Sequence, residues 1–586
     1  MSSSQVPRDG PSDRGTRASG RAKVEPDVRR LGQVIEPLRH GDSIWFPPLS
    51  SFARYPRDVQ DAQHPTRSGE HPPRLEALGR DANLVSTLRS RSWERVSRTL
   101  FDVAILGGGI SGASLFHHLS QRGYRVLLLD KGDFACGTSQ ASGMTIWGGL
   151  LYLRNLDVRS VVRLSKDREM LARDMPAWVR PRTFRFVPSR ESAWGEYLVH
   201  TALYLYWGLG RFRRRRPRRE AVFEESALLA QLPSGRSLVF EEATLNASDS
   251  RFVLQWIVRH QSDDDVPLNH AVVEEGRFDA RDRLWYLEVG DAFDHRSVTA
   301  RARCVVNATG AWTDRVNERF GIRTPYKHVF SKGVYLGLDR LEQHRDPLVL
   351  EIEEHRDIIT LMPWGPLSLW GPTEAAVPRA EDGFAVTPED VDLLLKMARR
   401  KLRRSMAKGD VVSLRCGLRP LAVNRDYSSS RYPLDLSRDY RLWDDPGVPW
   451  ISVYGGKLTN CTSLARGITA RITRRIGPAR SSGCSTPRVL PEPQWDRFPG
   501  VREPVPSLDW CMRHEYCCTL EDYLRRRTNI SQWVAREGLG RTGEHRTHVR
   551  NLSLLLSGGS NASADRALGA YEAGVRRRFD DVLEAV

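Results

Sequence analysis

The chain has 586 residues and a hydrophobic fraction of 40%, enough apolar material for a packed protein of two or three domains. Its net charge of +17 invites a nucleic-acid or anionic-membrane partner. The arginines are scattered, however, and no zinc-finger, helix-turn-helix or RNA-binding pattern accompanies them, so nucleic acid is not expected as a partner. Eight cysteines, at 136, 304, 416, 461, 484, 511, 517 and 518, show neither CxxC pairing nor zinc spacing, which points to reduced thiols and no metal. The first residues lack an apolar signal core, and no run reaches the roughly 18 apolar residues of a membrane span. A cytoplasmic protein is the expectation.

Residues 1–98 are rich in Arg, Pro, Ser, Gly and Asp, and are expected to be a mostly disordered extension, with a helix from about Pro73 to Thr99 as its one candidate element. The chain then sharpens. Val103, Ala104, Ile105 and Leu106 read as a buried parallel strand, followed by Gly107, Gly109 and Gly112 in the spacing G-x-G-x-x-G. The first glycine permits a tight turn, the second lets backbone approach a pyrophosphate, and the third lets the next helix pack on the strand. SLFHHLSQRG supplies that helix and YRVLLLD a second strand, which ends at Asp130, 18 residues after Gly112, where a carboxylate accepts from ribose hydroxyls.

Small residues follow at Gly137, Thr138, Ser139, Ala141, Ser142, Gly143, Gly148 and Gly149, suggesting backbone close to a large flat ligand. An amphipathic helix is expected from about Leu156 to Met175. AWGEYLVHTALYLYWGLG is an apolar helix running into RFRRRRPRR, either an anchor on an anionic membrane or a buried helix with a solvated basic loop. Further on come a strand at Cys304–Asn307 with a turn at Ala308–Gly310, strands and a charged helix through 317–435, and a strand, Gly455–Gly456 turn and helix after Pro449. Residues 478–506 read as a proline-rich linker, and 507–586 as largely helical.

DVAILGGGISGA, LLLDKGDFACGTSQAS, WGGLLYL, NASDSRFVL, VVNATGAW, MPW with LWGPTE, GLRPL, SRDY, SVYGGKLTNCTSLA and EYCCTLEDYLRRRTNI stand in one order. Over about 99–535 this resembles the flavin-dependent glycerol-3-phosphate dehydrogenases, within the D-amino-acid-oxidase-like superfamily. The resemblance implies an α/β fold, α+β overall. A Rossmann-like FAD-binding domain with a parallel sheet would span 99–477, interleaved with an antiparallel-sheet substrate domain at about 190–235 and 317–435. A helical C-terminal domain would follow.

The resemblance implies FAD as the cofactor. Gly107, Gly109 and Gly112 would meet its pyrophosphate and Asp130 its ribose, while Thr138 and Ser139 would bond phosphate or ribitol oxygens. Ser142, Gly148 and Gly149 would lie along the same loop, and Ala308, Thr309 and Gly310 beside the adenine–ribose half. Gly455, Gly456, Lys457 and Leu458 would bring a helix N-terminus to the flavin C2 carbonyl. The implied reaction oxidises a secondary alcohol by hydride transfer to flavin N5, with a quinone or other acceptor and an anionic membrane surface as expected partners, which extends the location to the inner face of the cytoplasmic membrane. Arg419, Arg438 and Lys457 match positions that face substrate in the family. The family's S-T-K-L-I-H-G-G-L-R-Y-L is altered here, with Met144, Trp147 and Leu151 replacing its lysine, histidine and arginine. The pocket is therefore expected to be more apolar, with Lys457 or Tyr152 as base. Two alternatives stay open: an oxidase or dehydrogenase of an amine, amino acid or other non-phosphorylated substrate, and a flavin-binding protein without turnover.

Overall fold

The strand Leu100–Leu106 (β1) is buried from Phe101 to Leu106, as a strand covered on both faces must be. The computed structural model describes residues 84–586 except 189–194, 222, 231–236, 260–261, 295, 343, 353–356, 429–435 and 480–489. All of these lie in one unit, Phe46–Val586. β1 runs parallel to Val126–Leu129 (β2) on one side and to Ser297–Asn307 on the other. Val266–Leu268 extends the parallel sheet beyond β2, and Trp450–Tyr454 extends it beyond Ser297–Asn307. Between β1 and β2 runs the helix Ile110–Ser120 (α2), whose Ser114 hydroxyl donates to the Cys461 carbonyl of the helix Cys461–Ile476 at 3.3 Å.

A second, mainly antiparallel sheet stands beside the first. Tyr326–Asp339 pairs along its length with Val411–Asn424. From Tyr326–Asp339 the order then continues through Leu367–Gly371, Asp357–Trp364, Leu348–Ile352, Val179–Val187, Ser237–Leu245 and Thr145–Ile146. The segments expected at about 190–235 and 317–435 are thus joined in this sheet by strands outside them. Within 190–235 the described residues contribute only the short strand Arg218–Glu220 to it.

The chain before residue 99 is not wholly unstructured. Leu84–Arg98 forms a helix (α1) that buries Trp93 and Val96, and burying apolar side chains of this size contributes about 1.5–3 kcal/mol apiece. Arg89 pairs with Asp291 at 2.8 Å and donates to the Asn269 carbonyl at 3.0 Å. The rest of the expected extension, 1–83, lies outside the described residues. The expected linker also packs: Trp495–Asp496 pairs with Val505–Pro506, and Leu490, Phe498 and Val501 are buried. Its stretch 480–489, with Cys484, lies outside the described residues. Apolar side chains spaced between the prolines explain the difference, because they find a core that local composition does not reveal.

The amphipathic helix expected near Leu156–Met175 is Val158–Asp174 (α3), its N-terminus capped by Asp157 accepting from the Ser160 amide. The apolar helix is Glu196–Leu209 (α4), and it follows neither expectation completely. Leu203 and Tyr206 are buried, while Tyr197 is 78% exposed, Leu198 61% and Leu205 51%. Phe212 just beyond it is 63% exposed, and Leu156 before α3 is 82% exposed. Arg211, Arg213, Arg215 and Arg216 are exposed, but Arg214 folds back, its guanidinium 3.9 Å from the Tyr206 ring centroid and donating to Ser165 Oγ at 2.6 Å. No helix among the described residues is long and apolar enough to cross a membrane. The C-terminal segment is helical as expected, with Leu508–His514, Arg546–Leu556 and Asn561–Val575.

Candidate active site

The β1–α2 turn exists because three glycines leave room for it. Gly107 sits at φ +101°, which a side chain resists, and a Cβ on Gly112 would lie 1.9 Å from the Gly107 carbonyl oxygen. The helix therefore packs onto the turn at a distance that only glycine allows. Asp130, at the end of β2, accepts from the Gly108 amide at 2.6 Å and the Gly132 amide at 2.9 Å. Burial pushes its carboxyl up to about 6, against those two hydrogen bonds. Asp130 thus shapes the turn as well as lining the space beside it.

That space is a cavity of about 800 Å³, within the roughly 300–1,000 Å³ of ligand sites. Gly107, Gly109, Asp130, Thr138, Ser139, Ser142 and Gly149 line it. So do Ala308, Thr309 and Gly310 and, from the turn after Trp450–Tyr454, Gly455, Gly456, Lys457 and Leu458. Tyr152, Arg419 and Arg438 line it too. Segments some 350 residues apart in sequence converge here, because β1, Ser297–Asn307 and Trp450–Tyr454 are neighbouring parallel strands whose C-terminal ends open to the same side.

Several expected residues do other work. Gly112 lies outside the cavity wall and serves helix packing, as its contact with Gly107 requires. Gly148 is outside it too: its amide donates to Glu242 at 3.2 Å, and its missing side chain makes room for the Tyr206 hydroxyl and Arg214. The Thr138 hydroxyl donates to the Leu418 carbonyl. The Ser142 amide and hydroxyl both donate to Asp249, at 2.8 and 2.9 Å, so both groups hold the loop itself. Ser139 Oγ accepts from the Ile110 amide at 3.0 Å, at the start of α2. Met144 is buried at 1% exposure and does not line the cavity, whereas Trp147 and Leu151 do. Of the three altered family positions, two therefore make the pocket apolar and the third belongs to the core.

The titratable groups gather around Lys457. Its ammonium donates to the Tyr152 hydroxyl and lies 4.3 Å from that ring's centroid. Burial, then the positive charges of Arg438, Arg163 and Arg419, bring its pKa down to about 7, with Asp439 opposing. Burial pushes the Tyr152 phenol up. Lys457 thus exchanges its proton near neutrality beside a tyrosine that stays protonated.

Glu374 was given no role by the sequence, although its motif was visible. Its carboxylate bridges Arg419 at 2.8 Å and Arg438 at 2.9 Å. Burial pushes this carboxyl up, but the two guanidinium charges outweigh it and hold it below its ordinary value. The signal was indirect: two arginines in an apolar pocket need a countercharge, and the acid of LWGPTE was at hand. Asp357, also in the wall, has its carboxyl pushed up by burial. Trp312 lines the cavity as well, stacked on Phe384 at 5.1 Å, with the Lys131 ammonium 4.0 Å from its ring centroid.

Comparison with known proteins agrees with a dinucleotide cradle. The family model of the FAD-dependent oxidoreductases matches residues 102–443. The aerobic glycerol-3-phosphate dehydrogenase of Escherichia coli is 28% identical over 432 residues, which is 71% of this chain and 83% of that protein. The D-erythritol 1-phosphate dehydrogenase of Brucella abortus is 28% identical over 377 residues, 62% of this chain and 72% of that protein. Among solved structures, the glycerol-3-phosphate dehydrogenase from Bacillus halodurans complexed with FAD superposes with a TM-score of 0.63 at 18% identity, covering 85% of this chain and 99% of that one. The glycine turn, with its close packing of Gly112 on Gly107, the Asp130 carboxyl in the cavity wall and the volume of the cavity all fit FAD. The chain belongs to the FAD-dependent oxidoreductase family, and FAD is its cofactor.

Proposed function

We propose that this enzyme dehydrogenates the secondary alcohol of a small phosphorylated polyol, glycerol-3-phosphate or a close relative. The observation that carries the reading is the cluster of Lys457, Tyr152, Arg419 and Arg438 in the wall of the cofactor cavity. Bound FAD supplies the two-electron acceptor for the substrate C–H bond. The remaining roles fall to the chain. Neutral Lys457 takes the hydroxyl proton, Tyr152 orients it through their hydrogen bond, and Arg419 and Arg438 face the anionic group. Trp147 and Leu151 restrict water beside the reacting carbon. Anaerobic mixing with glycerol-3-phosphate should bleach the flavin, and an unbleached flavin with every phosphorylated polyol tried would overturn the reading.

One observation favours a second reading. Glu374 neutralises part of the Arg419–Arg438 charge, and Leu151 supplies none, which suits a less anionic substrate such as an amino acid or amine. The same bleaching assay separates the two.

The exposed apolar residues Tyr197, Leu198, Leu205 and Phe212, beside Arg211, Arg213, Arg215 and Arg216, support a face that rests on an anionic membrane. Leu151 and Leu156 continue the apolar surface towards the cavity, which suits a membrane quinone as final electron acceptor.

A further inference from the structure

The cofactor loop is braced by a buried ionic network whose arginines come from the C-terminal region, in the EYCCTLEDYLRRRTNI stretch beyond the matched segment 102–443. Asp522–Arg527 is wound as a π-helix, and its arginines converge on the loop after β2. Arg527 forms a bidentate pair with Asp133, at 2.6 and 2.8 Å, and Arg526 Nε donates to the same carboxylate. Arg526 also donates to Asp522 at 2.8 Å and to Glu521 at 2.9 Å, so three carboxylates surround two guanidiniums. Asp133 is 1% exposed and Arg527 fully buried. At the other end of the loop, Arg525 donates to the Gln140 carbonyl and Arg526 to the Gln140 side chain. His270 bonds Asp522 at 3.1 Å, but both acids of this cluster are already neutralised by arginine, which leaves them poor ligands for a cation.

Asp133 directly precedes Phe134 and Ala135, which hold the glycine turn. The Phe134 ring packs on Gly108, where an added Cβ would sit 2.4 Å from it, and the Ala135 amide donates to the Gly108 carbonyl at 3.1 Å. Phe134 also meets Tyr516 of the C-terminal region edge-on at 5.7 Å. A continuous path therefore runs from Arg526 and Arg527 through Asp133 and Phe134 to the turn that receives the FAD pyrophosphate.

We propose that Arg526 and Arg527, acting through Asp133, are positioning residues for the cofactor, so that docking of the C-terminal region and retention of FAD are coupled. Coupling of this kind is reciprocal: whatever the docked region does for FAD, FAD does for the docked region.

The test is FAD release from purified holoenzyme, followed by the return of free-flavin fluorescence on dilution. Asp133→Asn should speed release about tenfold, because the loop loses the charge that fixes it. The control is Asp580→Asn, which removes a bidentate pair with Arg536, at 2.9 Å for both contacts, elsewhere in the C-terminal region. It should lower thermal stability while releasing FAD at the wild-type rate. Release from Asp133→Asn within about twofold of wild type would overturn the proposal. So would equal acceleration by Asp580→Asn, since the region would then act only through global stability. The wild-type chain gives a readout that needs no variant: FAD added to apoprotein should slow amide exchange at 516–529 more than at 546–575. Equal protection of the two segments would refute the coupling.

Discussion

Lys457 offers the most exacting test of the site. An ordinary lysine amine, with its pKa near 10.5, would be neutral in only about one molecule in 3,000 at pH 7. Lowered to about 7, Lys457 is neutral in about half, so its burial raises the base-competent fraction roughly a thousandfold. The protonated amine cannot accept the substrate proton. The kcat/KM should therefore fall about tenfold per pH unit below about 7 and level off above it. Replacing Lys457→Met should remove that ionisation and lower the rate of flavin reduction by about 10²–10⁴, the usual cost of a lost general base. Arg438 lies second among the causes that lower Lys457, so Arg438→Met should move the midpoint of the wild-type profile upward. The assay is anaerobic stopped-flow reduction of the bound flavin by glycerol-3-phosphate across pH 5.5–9. A flat profile for the wild type, or a Lys457→Met variant that reduces its flavin at the wild-type rate, would refute the assignment of the base.

Other outcomes follow from the same geometry. Gly112→Ala places a Cβ 1.9 Å from a backbone oxygen, so it should cost at least about 3 kcal/mol of stability and leave little flavin-loaded protein, read by denaturant titration and absorbance. Trp147→His with Leu151→Arg should raise kcat/KM for glycerol-3-phosphate about tenfold or more, because a charge-assisted bond to a buried anion is worth about 1.5–3 kcal/mol; no gain would mean that Arg419 and Arg438 already suffice. Each basic residue at an anionic surface contributes about 1 kcal/mol, so reversing Arg213, Arg215 and Arg216 to Glu should leave the protein in the supernatant of a vesicle sedimentation assay. Arg214 should not be included, since it is a buried partner of Ser165 and Tyr206.

What could be read from the chain was whatever depends on neighbours in sequence. The β1–α2–β2 unit was legible because a buried apolar run, three glycines and a terminal acid each answer to local geometry, and Gly107 and Gly112 occupy the positions that geometry demands. The helices α3 and α4 were legible from their spacing. Composition misled where a few apolar side chains outweighed many polar ones, as with Phe498 in the proline-rich stretch, whereas α1 falls inside the candidate helix at about Pro73–Thr99.

The site's electrostatics belong to the tertiary structure alone. Tyr152 and Lys457 are 305 residues apart, and Asp133 and Arg527 are 394 apart; no local pattern says that either pair will meet. Nor does sequence spacing distinguish Met144, turned into the core, from Trp147 and Leu151, turned to the cavity. A residue type states which proton or charge a side chain can carry. Whether that charge is kept depends on burial and on partners brought from elsewhere in the chain, which is how Glu374 comes to restrain two arginines and Lys457 comes to titrate near neutrality.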